Sequence, residues 1–416
     1  MDKKRVVITG IGMVSPFGVG TDIFWKSLLE GKSAIRTIQG MDLEKHHVKI
    51  AGQVLDFNPE DYMDPKEAKK MDRFTQFALV ASDEAIKDAG LDKIIDFDPY
   101  RYGVMVSSAA GGFHTFEKNH IAMIERGPTK CSPFTIPMLI VDMSSGRVSM
   151  KYGYKGVNKA VVSACATGSH SIGDAFRSIQ YGDADVILAG GCEATICNLG
   201  IGAFTSARTL SRRNDEPQRA SRPYDKDRDG FVMAEGAGVL IMEEYEHAKA
   251  RGAKIYAEIV GYGQTADAYD IVAPDPEGTG AQKAMEFALK DANLKPEEIQ
   301  YINSHGTSTG LGDAAESHAI AKVFGDLDVN KNLLVSSTKS MHGHMLGATG
   351  AAESIVCIKA INEGVVPPTI NLDNQDEEVA NLDYVPHKTR KKEVSAALTN
   401  SFGFGGHNAS LIFKKI

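Results

Sequence analysis

Three short segments concentrate side chains able to do covalent and acid–base chemistry: SACATG at 163–168, NSHGTSTG at 303–310 and STKSMHGHMLGATG at 337–350. Cys165 stands between the apolar run AVVSA and residues that read as a helix opening near 166. A cysteine there is either a small core residue or a nucleophile. Backbone N–H groups and the dipole at a helix start favour a thiolate, and the same N–H groups can hold an oxyanion. His170, five residues on, points roughly 140° away around that helix and is no partner for the thiol. His305 and His344 are better partners, each in a turn of small residues directly after an apolar run. A lone histidine is usually a satisfied core residue. Two of them in such turns, with a cysteine at a strand–helix junction, point to thiol chemistry.

These segments need a scaffold that ends strands beside one another. RVVITG precedes DIFWKSLLEG, GVMVSS precedes a helical stretch, and TGSHSIGDAFRSIQYG leads into DVILAGG. After residue 250 the alternation continues through KIYAEIVGYG, AQKAMEFALKDAN, YINSHG, AAESHAIAKVFG, LLVSST and GAAESIVCIKAINEG. This predicts an α/β protein with largely parallel strands buried between helices, its site where strands end. At 416 residues the chain exceeds one ordinary core, and the charged helix EEYEHAKARGAK divides it into 1–253 and 254–416. No Pro/Ser-rich linker separates the halves, so they should pack together. AVVSACATGSHSIGDAFRSI and LLVSSTKSMHGHMLGATGAAESIVCI share one plan, which raises a suspicion of duplication.

Composition narrows the classes. Lys plus Arg is 46 against 54 for Asp plus Glu, a net charge of −8, which argues against a general nucleic-acid binder. No apolar run reaches the ~18 residues of a membrane span. MDKKRVVITGIGMVSPFG is broken by Gly10, Gly12 and Pro16, and reads as the first strand of a cytoplasmic protein rather than a leader. Five cysteines without an export signal suggest no disulfide framework. Three motif-like stretches are set aside. GIGMVS lacks the third glycine and the distal acid of a dinucleotide site. DKDRDGFVMAE has glycine where a calcium loop needs its bidentate glutamate. His342 and His344 have no third ligand in register, so no metal site is expected.

Together the segments ITGIGMVSPFG, SACATGSHSIGDA, RPYDKDRDGFVMAEGAG, NSHGTSTGLGD, STKSMHGHMLGATGAAES, PPTINLD and NSFGFGGHNASLIF resemble the β-ketoacyl-[acyl-carrier-protein] synthases of the thiolase superfamily, most closely type II. The resemblance implies a thiolase-like layered αβαβα fold of two similar halves, and chain elongation in type II fatty acid synthesis. Cys165 would hold an acyl group as a thioester. His305 and His344 would stabilise the enolate left when malonyl-carrier protein loses CO₂. The N–H groups of Cys165 and Phe404 would hold a second oxyanion. Lys339 would support the site electrostatically and Glu353 would hold it, with a purely structural ion pair equally open. Phe404 would gate an acyl pocket shared with Phe204, Ala110 would set its width, and Thr307 and Thr309 would bind the pantetheine arm.

The same resemblance implies no cofactor beyond the carrier's 4'-phosphopantetheine, a homodimer, and an acidic carrier protein landing on basic residues. Lys66, Lys69, Lys70 and Arg73 recur on one face if PKEAKKMDRF is helical. Lys66, Lys69, Lys70, Lys130 and Arg208 match the family's docking positions. Gly310, His342 and Ala234 depart from the family's proline, threonine and glycine. A degradative thiolase would need a second, C-terminal cysteine, which NSFGFGGHN lacks. A polyketide-type ketosynthase shares the Cys–His–His set and stays open. A non-catalytic chain-length subunit would lose the nucleophile that Cys165 supplies.

Overall fold

In the computed structural model, which describes residues 3–416, the apolar runs form strands and the periodic runs between them form helices. The first half supplies β1 (Val6–Ser15), β2 (Tyr102–Ser107), β3 (Val186–Glu193) and β4 (Gly236–Glu244). The second supplies β5 (Ala257–Ala266), β6 (Tyr301–Asn303), β7 (Leu334–Ser336), β8 (Ala396–Gly403) and β9 (His407–Lys414). They join one sheet in the order β7-β6-β8-β9-β5-β1-β4-β3-β2, and a two-residue strand at Gly18–Val19 also pairs with β1. The order β1-β4-β3-β2 recurs as β5-β9-β8-β6 with the same pattern of strand directions. The two halves therefore share a topology, joined where β1 and β5 run antiparallel.

The expectation of a largely parallel sheet is corrected. Parallel pairing is confined to β2 with β3, β6 with β8, and β6 with β7; the other pairings along the sheet are antiparallel. The strands read as continuously apolar because helices cover both faces, and antiparallel strands covered on both sides show the same pattern. Alternate residues feed different cores. Leu240 and Met242 of β4 enter the central core, while Val239 and Ile241 enter an outer one. Leu411 and Phe413 of β9 likewise face the central core, and Ile412 the other outer one.

Helix α1 (Arg73–Asp88) covers the first half from outside. Helices α2 (Thr167–Gln180) and α5 (Thr349–Glu363) fill the central core with Ile172, Phe176, Ile355 and Ile358. Helices α3 (Thr279–Ala292) and α4 (Gly310–Phe324) cover the second half through Met285 and Ile320. The layers therefore run helix, sheet, helix, sheet, helix, a thiolase-like αβαβα fold. Small residues let the two central helix starts approach. A Cβ on Gly350 would lie 2.2 Å from Ser169 Oγ, and one on Gly168 would lie 2.8 Å from the Gly347 carbonyl oxygen. The turn before α2 carries Cys165 and the turn before α5 carries His344, which accounts for the echo between the two sequences.

Several local readings change. AVVSA is not a strand: residues 159–163 belong to no strand, and the segment just before them runs along the outer edge of β2, where Val104 N–H donates to the Val157 carbonyl at 2.7 Å. Cys165 sits in a 3₁₀ turn, Ala164–Ala166, and the α-helix opens at Thr167. GIGMVS lies inside β1, where Cβ atoms on Gly10 and Gly12 would meet the Ala85 and Ala81 carbonyls of α1 at 2.3 and 2.0 Å. The glycines are there for helix–sheet packing. Asp225 of the calcium-like stretch accepts the N–H groups of Asp227, Asp373 and Asn374 and pairs with Arg222. PKEAKKMDRF is not one helix: Pro65–Ala68 form a single turn, and α1 begins anew at Arg73, where Asp72 caps it by accepting from Phe74 N–H. Arg73 turns inward onto Glu235 at 2.9 Å, so it leaves the basic face.

Candidate active site

Cys165 is only 8% exposed and lines a cavity of about 370 Å³ together with His305 and His344. The turn before it is strained: Ala164 adopts φ 51°, a region that costs a side-chain-bearing residue about 1–2 kcal/mol. Burial pushes the thiol up to about 12, opposed by Lys339 and by the backbone N–H groups of Phe404 and Cys165 itself. The sequence-based expectation of a favoured resting thiolate is therefore corrected. The helix start and N–H groups act on Cys165, but loss of water outweighs them. The same two N–H groups are the pair expected to hold the oxyanion on the carbonyl carbon that this sulfur attacks.

His344 follows Gly343 (φ 76°), and its main chain bridges Met233. Its Nδ1 lies 2.9 Å from Thr349 Oγ1, which leaves the buried Nε2 without a protein partner on a ring that lines the cavity. His305 leaves β6 on a turn held by Glu316, whose two oxygens accept the N–H groups of His305 and Gly306 at 2.7 Å each. The His305 and His344 rings stand edge to face, 5.3 Å apart. Burial first, then the Lys339 charge, drives both imidazoles well below the usual histidine value. Both rings are thus neutral near pH 7 and each carries one N–H; in His344 Thr349 engages Nδ1, so Nε2 is the nitrogen left to act.

Lys339 and Glu353 form a fully buried ion pair beside these rings, outside the cavity wall, and Glu353 keeps one oxygen unpartnered. Burial raises the Glu353 carboxyl and Lys339 pulls it back. Thr307 and Thr309 line the cavity with hydroxyls 3.0 Å apart, polar groups suited to an amide-bearing arm. Phe404 and Phe204 also line it, with ring centroids 6.2 Å apart, and Arg208 lies exposed at the same cavity.

Ala110 is not brought to this cavity: its N–H donates to buried Glu193 in the turn after β2. Lys66, Lys69 and Lys130 are exposed away from the cavity, and Lys70 is half-buried and paired with Glu67 at 2.6 Å. Among the described residues no group of three or more His, Cys, Asp or Glu is arranged to hold a metal. His342, a departure from the family pattern, is fully buried between Thr338 Oγ1 and the Gly343 carbonyl and does not hydrogen-bond His344.

Sequence reasoning missed Glu316, Glu193, Phe231 and Phe402. Glu316 shapes the His305 turn, and Glu193 ties Ala109 and Ala110 to Gly347 of the His344 turn. Phe231 stands between Phe204 and His344, and Phe402 against His305. Only the aromatics had a local signal, since each adjoins a glycine-rich segment already singled out. The carboxylates lie in apolar helical or strand runs, where a buried glutamate with four donors looks like an exposed one.

Residues 3–248 match the family model for the N-terminal domain of beta-ketoacyl synthase, and residues 256–373 that for its C-terminal domain. The chain is 49% identical over 416 residues to a 3-oxoacyl-[acyl-carrier-protein] synthase 2 of Vibrio harveyi, covering all of both chains. It is 51% identical over 412 residues to the protein of that name from Staphylococcus aureus strain N315, covering 99% of this chain and 98% of that one. Among solved structures, a beta-ketoacyl synthase from Burkholderia phymatum superposes with a TM-score of 0.92 at 36% identity, over 99% and 100% of the two chains. A ketosynthase complex of a type II polyketide system, bound to its acyl-carrier protein and a hexaketide, gives 0.91 at 34% identity over all of both chains. With both family domains matched in order and relatives about half identical end to end, this chain belongs to the beta-ketoacyl synthase family.

Proposed function

We propose that this enzyme condenses an acyl group held on Cys165 with malonyl-[acyl-carrier protein], releasing CO₂ and β-ketoacyl-[acyl-carrier protein], the elongation step of type II fatty acid synthesis. The observation that carries the reading is one cavity lined by a thiol from the first half and two neutral imidazoles from the second. In the first step the Cys165 sulfur attacks the carrier thioester. Its proton leaves to a neutral imidazole and reaches the departing pantetheine thiol, so no net proton is taken up. The N–H groups of Cys165 and Phe404 hold the tetrahedral oxygen.

In the second step the C–C bond to the malonyl carboxylate breaks and CO₂ departs. The electron pair becomes an enolate whose oxygen takes hydrogen bonds from His305 and His344. The carbanion attacks the acyl-Cys165 carbonyl, the ketoacyl chain leaves on its carrier, and the thiolate takes up one proton. Neutral rings suit this work: they donate to a developing anion without already being paired with one. Burial keeps both rings neutral, the Lys339 charge adds to that, and Glu353 holds Lys339. Only electron pairs and protons move, so the reading asks for no cofactor beyond the carrier's phosphopantetheine arm, with Thr307 and Thr309 along its path.

The partner is an acyl-carrier protein, docking on Lys66, Lys69, Lys130 and Arg208, with Lys70 a lesser contributor because Glu67 already neutralises it. A homodimer is supported by large apolar side chains left exposed on the first half, among them Val162, Phe134 and Ile136. Five unpaired cysteines favour a reducing, cytoplasmic setting, and among the described residues no helix is long and apolar enough to cross a membrane. A polyketide-type role is the second reading, favoured only by the fold shared with polyketide ketosynthases at about a third identity. The test is mass spectrometry of the enzyme mixed with acyl-carrier protein, then with malonyl-carrier protein. An acyl mass on Cys165 that disappears as ketoacyl product forms is expected; no adduct would overturn the reading.

A further inference from the structure

His170 points away from Cys165, yet it is tied to the nucleophile turn by another route. Its Nδ1 lies 2.6 Å from Ser163 Oγ, two residues before the cysteine, in a buried contact. Ser163 lies outside the helix, before the left-handed Ala164 and the 3₁₀ turn, and the chain reversal there brings its side chain back over the first turn of α2, where His170 stands. Burial keeps the ring below the usual histidine value, with the Asn408 backbone opposing that shift, so the ring is neutral and one proton is shared across the Ser163 Oγ–Nδ1 contact. Asn408 pairs with Phe402 across the β8–β9 hairpin, whose tip carries Phe404. The ring is further fixed by Tyr262, edge-on at 6.2 Å, which occupies space that a Cβ on Gly173 would invade at 2.3 Å.

The turn that Ser163 opens is held by a small set of local contacts, of which the Ser163–His170 bond is the side-chain tie to α2 that reaches farthest along the helix. Ala164 is in the left-handed region; Ser163 N–H donates to Thr167 Oγ1 at 2.9 Å, and Ala166 N–H donates to the Ser163 carbonyl at 3.1 Å. On its far side it abuts β8, where a Cβ on Gly403 would lie 2.8 Å from the Ser163 carbonyl oxygen and 3.0 Å from Cys165 N. Strain of this kind persists only when its surroundings over-determine it.

We propose that His170 is a positioning residue for the nucleophile: through Ser163 it holds the strained Ala164 turn against Gly403, so that the Cys165 sulfur stands ready for acylation, and it takes no part in malonyl decarboxylation. This rests on the thiol-carrier reading above. The histidine pair sits on separate turns held by Glu316 and Thr349, so loosening the Cys165 turn leaves the decarboxylating groups in place.

The test compares the full-length enzyme with Ser163→Ala, His170→Leu and His170→Asn, whose amide oxygen can accept where Nδ1 does. Two rates are read: appearance of the acyl adduct on Cys165 from acyl-carrier protein, and CO₂ release from malonyl-carrier protein without an acyl primer. Ser163→Ala and His170→Leu should slow acylation by about ten-fold or more, with CO₂ release within about two-fold of wild type and partial recovery of acylation in His170→Asn. Acylation unchanged in Ser163→Ala, or both rates falling together in that single-oxygen deletion, would overturn the proposal. Wild-type enzyme that forms no adduct would instead remove the reading beneath it.

Discussion

At the scale of single residues, function rests on keeping charge out of a buried site until the reaction creates it. Cys165 rests as a thiol and the two imidazoles rest neutral, all because burial penalises their charged forms. Replacing His344 by alanine removes one donor aimed at the enolate, and kcat for condensation should fall by about 10²–10³, measured by ketoacyl product. His342 offers a separate test. Its folded pKa is about 3 against an ordinary 6.5, so the unfolded chain takes up this proton first as pH falls. Its contribution to stability is complete above pH 6.5 and drains as pH drops towards 3. Between pH 6.5 and 5 that loss is about 2 kcal/mol. The stability difference between wild type and His342→Thr should move by that amount in the variant's favour on going from pH 7.5 to 5, read from urea unfolding. A difference independent of pH would contradict it.

At the scale of elements, the site depends on how closely two turns approach. A Cβ on Gly191 of β3 would lie 2.2 Å from the Gly347 carbonyl oxygen, in the turn that follows His344. Gly191→Ala should therefore lower stability by about 1–3 kcal/mol and reduce condensation, because backbone on both sides must move. A melting temperature equal to wild type would count against that packing. Much of this was legible beforehand. The three turns bearing Cys165, His305 and His344 were recognisable as small residues beside apolar runs. Strand direction was not, since apolar runs covered on both faces look alike whether parallel or antiparallel. AVVSA misled for a related reason: Val161 and Val162 have strand-like side chains but belong to no strand, Val161 N–H donating only to the Ser107 hydroxyl at the end of β2. The carboxylates that shape the site, Glu193 and Glu316, left no local pattern because most of their partners are main-chain N–H groups on other turns of the chain, which carry no residue signature.

At the scale of the whole molecule, the duplicated topology brings a nucleophile from one half against a histidine pair from the other. Lys66, Lys69 and Lys130 lie outside the cavity and Arg208 at it, an arrangement that suits the proposed carrier inserting only its arm. Reversing Lys69 to Glu should raise the apparent KM for acyl-carrier protein several-fold and steepen with lower salt, whereas Lys70→Glu should do less because Glu67 already holds Lys70. Equal effects of the two reversals would contradict that ranking. The central claim is a division of labour: Cys165 carries the acyl group and the histidines decarboxylate. It is tested most directly by CO₂ release from malonyl-carrier protein with Cys165→Ala beside His344→Ala. The account predicts that Cys165→Ala makes no ketoacyl product yet still releases CO₂, while His344→Ala loses CO₂ release. Decarboxylation that disappears with the cysteine, or persists undiminished without His344, would contradict it.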